Sequence, residues 1–166
     1  ILDQLPEAEA AFIASNPLTG AILAYQGGFN FSKSNFDRVK QSFPQAGSSF
    51  KPFIYSAAIA NGYKASDTIN DAPIIFEDQN LESAWRPENY TGKFYGPIRL
   101  REALVQSVNI VSIKLLRELG IDKTHTFLEN FGFPKSRLAP DLSLALGSSS
   151  FSPAEMIRAY NFLANS

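Results

Sequence analysis

The sequence predicts an α+β fold in which two early strands precede a mostly helical body. Three observations predict it. Residues 10–14 and 21–25 are short apolar runs on either side of Asn16-Pro17-Leu18-Thr19-Gly20, a segment with strong turn chemistry. Further along, apolar side chains recur at helical spacing in segments bounded by helix-type starts and stops. The 166 residues are 45% hydrophobic and 19% charged, so one domain can bury a core.

The elements follow in order. The turn between the two apolar runs makes them a β-hairpin, and their continuous apolarity predicts burial on both faces. Gly27-Gly28 ends the second strand, and residues 29–47 read as loop with a short helix. Residues 50–60 form a helix with Pro52 in its first turn, where a missing N–H costs nothing, and Gly62 as its stop. That helix is apolar nearly all round, which predicts a buried one. Residues 67–90 read as loop and ribbon. A helix over 98–105 is interrupted by Ser107-Val108-Asn109, resumes over 110–119 and ends at Gly120. Residues 124–131 form an amphipathic helix closed by Gly132 and Pro134. Ser152-Pro153-Ala154-Glu155 combines an N-cap serine, proline at the first position and glutamate at the third, and starts a helix through 156–164.

Composition excludes several classes of function. Fifteen Lys and Arg against sixteen Asp and Glu give a net charge of −1, unlike the basic excess of nucleic-acid binders. There is no cysteine, which removes disulfide scaffolds, thiol proteases and zinc–thiolate sites. With one histidine, His125, a histidine metal site has no ligand set, and no cofactor motif is present. No apolar run reaches the length of a membrane span and no leader opens the chain. Ile1 at the start and a helical pattern running to the last residues read as a piece of a longer protein.

Two short patterns carry chemistry. Ser48-Ser49-Phe50-Lys51 is a Ser-x-x-Lys, whose i and i+3 side chains are helical neighbours. A serine hydroxyl needs an adjacent base, and a lysine of lowered pKa can be one. Ser107-Val108-Asn109 is a Ser-x-Asn at a break between helices. Each pattern is short enough to arise about once by chance in this composition. Context sharpens both: Lys51 lies on a helix whose other faces are apolar, and Ser48 lies at the end where free N–H groups favour a developing oxyanion. The plainer readings stand beside these: Ser48 as an N-cap, Lys51 as a snorkelling surface residue, Ser107 and Asn109 as junction caps. Residues 46–51 lack the Gly-Lys-Ser/Thr ending of a phosphate loop. His125 reads as a surface residue, and Asp37, Glu77, Asp78 and Glu82 form no acid/base pair.

Longer stretches are more specific. Asn16-Pro-Leu-Thr-Gly-Ala-Ile-Leu-Ala-Tyr-Gln-Gly-Gly28, Phe43-Pro-Gln-Ala-Gly-Ser-Ser-Phe-Lys-Pro-Phe-Ile-Tyr55, Trp85-Arg-Pro-Glu-Asn-Tyr90, Gly96-Pro-Ile-Arg-Leu-Arg-Glu-Ala-Leu-Val-Gln-Ser-Val-Asn109, Ala145-Leu-Gly-Ser148 and Ser152-Pro-Ala-Glu-Met156 run in order along nearly the whole chain. In them the chain resembles the N-terminal part of the transpeptidase domain of bifunctional (class A) penicillin-binding proteins, a family that carries Ser-x-x-Lys. The resemblance implies the α+β fold shared with serine β-lactamases, with residues 1–166 holding only the first two strands of its antiparallel sheet. It implies a D,D-transpeptidase that cross-links peptidoglycan. Ser48 would be the acylated nucleophile, Lys51 its base, Ser107 a proton relay and Asn109 a holder of the substrate amide. Trp85, Asn89 and Tyr90 would bind substrate. D-Ala-D-Ala stem peptides and β-lactams are the implied partners, without metal or cofactor, on the extracytoplasmic or periplasmic side of a membrane reached by an anchor outside this chain.

The third motif of that family, Lys-Thr-Gly on a strand, is missing. Lys123-Thr124 is followed by His125 in a helical pattern. The resemblance therefore implies a second segment or chain that brings the Lys-Thr-Gly strand to the sheet beside residues 21–25, and no activity without it. A serine β-lactamase, which releases its acyl group rapidly, and a non-catalytic penicillin-recognising domain are the alternatives.

Overall fold

A computed structural model describes residues 7–75 and 85–165, so Glu77, Asp78 and Glu82 lie outside the described residues. The chain forms two compact units. One takes the residues up to Gln45, Asn130–Phe133 and the chain from Ser150 onward; the other takes Ala46–Glu129 and Pro134–Ser149.

The first unit opens with the hairpin β1 (Phe12–Ser15) and β2 (Ile22–Gln26), antiparallel with Ile13 opposite Tyr25 and Ala14 opposite Ala24. Its turn works as the composition predicts: Asn16 Oδ1 accepts from Leu18 N and Thr19 N, and Gly20 takes a φ of 70°. The predicted burial on both faces is not found. β2 is exposed along its length, with Ile22 59% and Leu23 69% accessible. The helix α5 (Pro153–Asn165) packs on β1 and Ser15 exchanges hydrogen bonds with the Asn161 amide, while among the described residues no third strand pairs with either edge. Two strands under one helix cannot cover two faces, so the continuous apolar run stays in solvent.

α5 begins with the predicted capping box. Glu155 Oε2 accepts from Ser152 N at 2.8 Å, and Ser152 Oγ accepts from Glu155 N at 3.3 Å. Phe131 meets Phe162 edge-on at 5.0 Å and Phe133 leans on Phe151 at 4.6 Å, which ties the inserted segment 130–133 to this unit.

The second unit is helical around a small ribbon. Helix α1 (Lys51–Ala60) follows a 3-10 turn, Gly47–Phe50, and buries Phe53, Ile54, Ala57 and Ala58 completely or nearly so, as an all-round apolar helix should. Strands β3 (Thr68–Asp71) and β4 (Gly96–Arg99) pair antiparallel. β4 revises the predicted helix over 98–105: Ile98 is buried and Arg99 exposed in strand alternation, and α2 (Leu100–Val105) starts only after Arg99. Helices α3 (Asn109–Leu119) and α4 (Ile121–Glu129) are separated by Gly120 alone, at φ 84°. α3 packs on α1 and supplies the buried Ile110, Val111, Ile113, Leu115 and Leu116. His125, read from sequence as a surface residue, is 4% exposed, and its Nε2 donates to the Ala139 carbonyl at 2.9 Å. A backbone acceptor on the inner side is what lets an imidazole leave the solvent face of α4. No helix among the described residues is long and apolar enough to cross a membrane.

Ser152→Ala removes the reciprocal cap of α5 and should lower the unfolding free energy by about 1 kcal/mol in denaturant titration. A change indistinguishable from zero would mean that the capping box holds nothing.

Candidate active site

The site lies wholly within the second unit and is built from three backbone devices. The first holds Ser48. Ala46 N donates to Ser149 O at 3.0 Å and Gly47 N to Gly147 O at 2.9 Å, which docks the start of the 3-10 turn on the chain at 147–149. Gly47 (φ 56°) and Gly147 (φ 72°) are both left-handed. A Cβ on Gly147 would stand 2.0 Å from Gly47 O, so no side chain fits there without displacing the backbone that carries Ser48. Ser48 itself is exposed at the mouth of the site.

The second device presents Ser107. Helix α2 ends in a Schellman motif: Ser107 N donates to Leu104 O at 3.0 Å and Val108 N to Ala103 O at 2.8 Å. The residue at the left-handed position of this motif is usually glycine. Here it is Ser107 at φ 54°, the one non-glycine residue with positive φ among those described. A side chain there costs about 1–2 kcal/mol, and such strain concentrates at functional sites. The conformation turns both the carbonyl and the hydroxyl of Ser107 toward Lys51.

The third device is the start of α3. Asn109 N donates to Asn89 Oδ1 at 2.9 Å and Asn109 Nδ2 to Glu88 O at 2.8 Å, which fixes the Asn109 amide with its oxygen free to accept. Lys51 lies where these devices meet. It is 1% exposed, and its Nζ donates to Ser107 O at 2.6 Å, Ser107 Oγ at 2.9 Å and Asn109 Oδ1 at 2.7 Å. All three acceptors are neutral. Burial without a paired carboxylate pushes the Lys51 amine down to about 8 from its ordinary 10.5. A lysine so placed holds an appreciable unprotonated fraction near neutral pH, and the Ser107 hydroxyl can either accept from the ammonium or donate to the amine.

A cleft of about 350 Å³ opens beside the cluster, lined by Ser48, Ser107 and Asn109 together with Asn89, Tyr90 and Tyr95. Six of the seven predicted site residues therefore share one neighbourhood: Ser48, Asn89, Tyr90, Ser107 and Asn109 in the cleft wall, and Lys51 hydrogen-bonded behind it. Trp85 is half-buried and outside the lining. Tyr90 is fully exposed at the rim. Asn89 is buried, with its amide engaged internally: Nδ2 donates to both carboxylate oxygens of Asp71 and to Lys93 O, and Oδ1 accepts from Asn109 N and Ile110 N. Asp71 escaped the sequence reading, because its partners stand 18 and 24 residues away and leave no local pattern. No three His, Asp or Glu side chains among the described residues converge on a metal-sized site.

Known proteins share this arrangement of sequence. The family model described as the penicillin binding protein transpeptidase domain matches residues 10–166. Penicillin-binding protein 1A of Pseudomonas aeruginosa is 48% identical over 162 residues, covering 98% of this chain but 20% of that protein. The crystal structure of penicillin-binding protein 1A from Haemophilus influenzae superposes with a TM-score of 0.91 at 43% identity, over 96% of this chain and 24% of that one. The Mycobacterium tuberculosis PonA1 protein in complex with penicillin V superposes with a TM-score of 0.79 at 25% identity, over 95% and 45% of the two chains. The chain thus spans about a fifth of the curated relatives it matches.

The strain at Ser107 has a measurable consequence. Ser107→Ala and Ser107→Gly both delete the hydroxyl, but only alanine keeps a Cβ at φ 54°. The glycine variant should be the more stable of the two by about 1 kcal/mol in equilibrium unfolding. Equal stabilities would show that Ser107 is not strained.

Proposed function

The chain belongs to the penicillin-binding protein transpeptidase domain family, and on that premise we propose that it carries the acylation centre of a peptidoglycan D,D-transpeptidase, with Ser48 as nucleophile and Lys51 as its base. The observation that carries the reading is the buried Lys51 amine, held by Ser107 and Asn109 behind the cleft that Ser48 lines.

The chemistry is acyl transfer. Ser48 Oγ attacks the carbonyl between the two D-alanines of a stem peptide, and its proton passes to the Lys51 amine. The C–N bond then breaks, and the proton reaches the departing D-alanine amine through the Ser107 hydroxyl. An amine of a neighbouring stem peptide attacks the Ser48 ester, regenerates the hydroxyl and forms the cross-link. Asn109 Nδ2 is bound to Glu88 O, so Asn109 enters this scheme first as an acceptor that steadies Lys51. A β-lactam carries a strained amide in place of the D-alanine dipeptide and leaves its opened ring on Ser48, which makes this serine the covalent target.

The rest of the proposed site comes from beyond these residues. A Lys-Thr-Gly strand on a further segment or chain would lie along the exposed edge of β2, which no third strand among the described residues pairs and where Ile22 and Leu23 face solvent. It would supply a cation for the substrate carboxylate. Peptidoglycan stem peptides place the whole protein on the extracytoplasmic side of a membrane, held there by an anchor outside this chain.

The test is mass spectrometry of peptides from the intact protein after penicillin treatment. A penicilloyl adduct on Ser48 is expected, with Lys51→Ala slowing its formation about 10²–10⁴-fold and Lys51→Arg no better, since a guanidinium stays protonated. A label on Ser107 instead, or a Lys51→Ala variant that acylates within a few-fold of the parent, would refute these roles. Release of the adduct within seconds would favour a β-lactamase.

A further inference from the structure

Asp71 is fully buried, and its carboxylate touches no cation among the described residues. A buried carboxylate is costly unless hydrogen bonds replace its water. Three donor contacts do so here. Asn89 Nδ2 reaches Oδ1 at 3.0 Å and Oδ2 at 2.9 Å, and Tyr95 N reaches Oδ2 at 2.9 Å. The other end of the same Asn89 amide accepts from Asn109 N at 2.9 Å and Ile110 N at 3.3 Å, the first free N–H groups of α3. A continuous polarised chain therefore runs from the carboxylate through one amide to the helix start, and on through Asn109 Oδ1 to Lys51 Nζ at 2.7 Å.

We propose that Asp71 is a positioning residue for the acylation centre: through Asn89 it fixes the first residue of α3, and with it the acceptor that aligns the Lys51 amine. The inference rests on the acyl-transfer reading and adds to it a residue that touches neither substrate nor nucleophile. The donor and acceptor pattern leaves Asn89 one orientation. Turned over, its NH₂ would face the two N–H groups of α3 and its oxygen would face the Asp71 carboxylate. The carboxylate receives Asn89 Nδ2 on both of its oxygens and Tyr95 N on Oδ2. An asparagine there must present its own NH₂ to one of them.

That logic leads to a swap test. In Asp71→Asn a donor meets a donor, and the strain passes along Asn89 to α3. In the double variant Asp71→Asn/Asn89→Asp the cap of α3 and the bond from Tyr95 N are complementary again. The carboxylate newly placed at position 89 would accept from the two α3 N–H groups and from the new amide at position 71, whose oxygen would accept from Tyr95 N. Two contacts of Asn89 Nδ2 are lost, the bond to Lys93 O and the bond to the position-71 oxygen that keeps Tyr95 N. The experiment is stopped-flow penicillin acylation of the intact protein, separating the acylation rate constant from the dissociation constant of the initial complex. Asp71→Asn should slow acylation about tenfold or more, as small misalignments of a catalytic group do, with the dissociation constant within about threefold of the parent. The swap should acylate at least about threefold faster than Asp71→Asn. If Asp71→Asn does not fold, a folded swap that penicillin acylates supports the proposal equally. A single variant as fast as the parent, or a swap that is no faster than Asp71→Asn or does not fold, overturns it. A parent protein that penicillin does not label would overturn the acyl-transfer reading itself, whereas a labelled parent beside an equally fast Asp71→Asn overturns only the role of Asp71.

Discussion

Everything at this site depends on burying one amine among neutral acceptors. Lys51 has lost its water and received three oxygens, none of them a carboxylate. A carboxylate in the same place would favour the charged form and hold the pKa near or above its ordinary value. Desolvation alone lowers it, to about 8. The arrangement costs stability. Between about pH 8 and the ordinary 10.5 the unfolded chain binds more protons at this residue than the folded one, so stability rises with pH across that window, and below it the folded state carries the full penalty of a buried ammonium. A fold tolerates such a cost when the amine has work to do.

The acceptors have to be held, and the backbone does that with conformations that side chains normally avoid. Ser107 occupies the glycine position of a Schellman motif, where its carbonyl and hydroxyl both reach Lys51. Gly47 and Gly147 meet backbone to backbone, which sets the height of the turn bearing Ser48. Asn89, backed by Asp71, caps α3 from outside the helix, and Asn109 follows from it. Each device sits at the end of a helix whose apolar face is already committed to the core, so local strain is borne by packing elsewhere in the unit.

Much of this was legible in the residues. The all-round apolar helix, the Asn16 turn and the Ser152–Glu155 box are local patterns, and each formed as its residues predict. The break at Ser107-Val108-Asn109 was legible as an interruption and its place in one site with Ser48 and Lys51 followed from the resemblance of longer stretches to a known family, but its hydrogen bonds to Lys51 were not. What stayed hidden was non-local or exceptional. Asp71 acquires its meaning from Asn89 and Tyr95. The left-handed serine breaks the rule that would have located it, since a reader looks for glycine there. His125 went inward because the Ala139 carbonyl, 14 residues on, offers it an acceptor. The apolar run over 21–25 formed its strand but not its burial, because a strand's cover is set by what packs on it and not by its own composition.

The proposed base role of Lys51 rests on its burial among neutral oxygens, which lowers the amine to about 8. That is tested most directly by following the ¹³Cε resonance of Lys51 through a pH titration of the intact protein, assigned by its loss in Lys51→Arg. A midpoint near 8 is expected. A midpoint at or above the ordinary lysine value of 10.5 would contradict it.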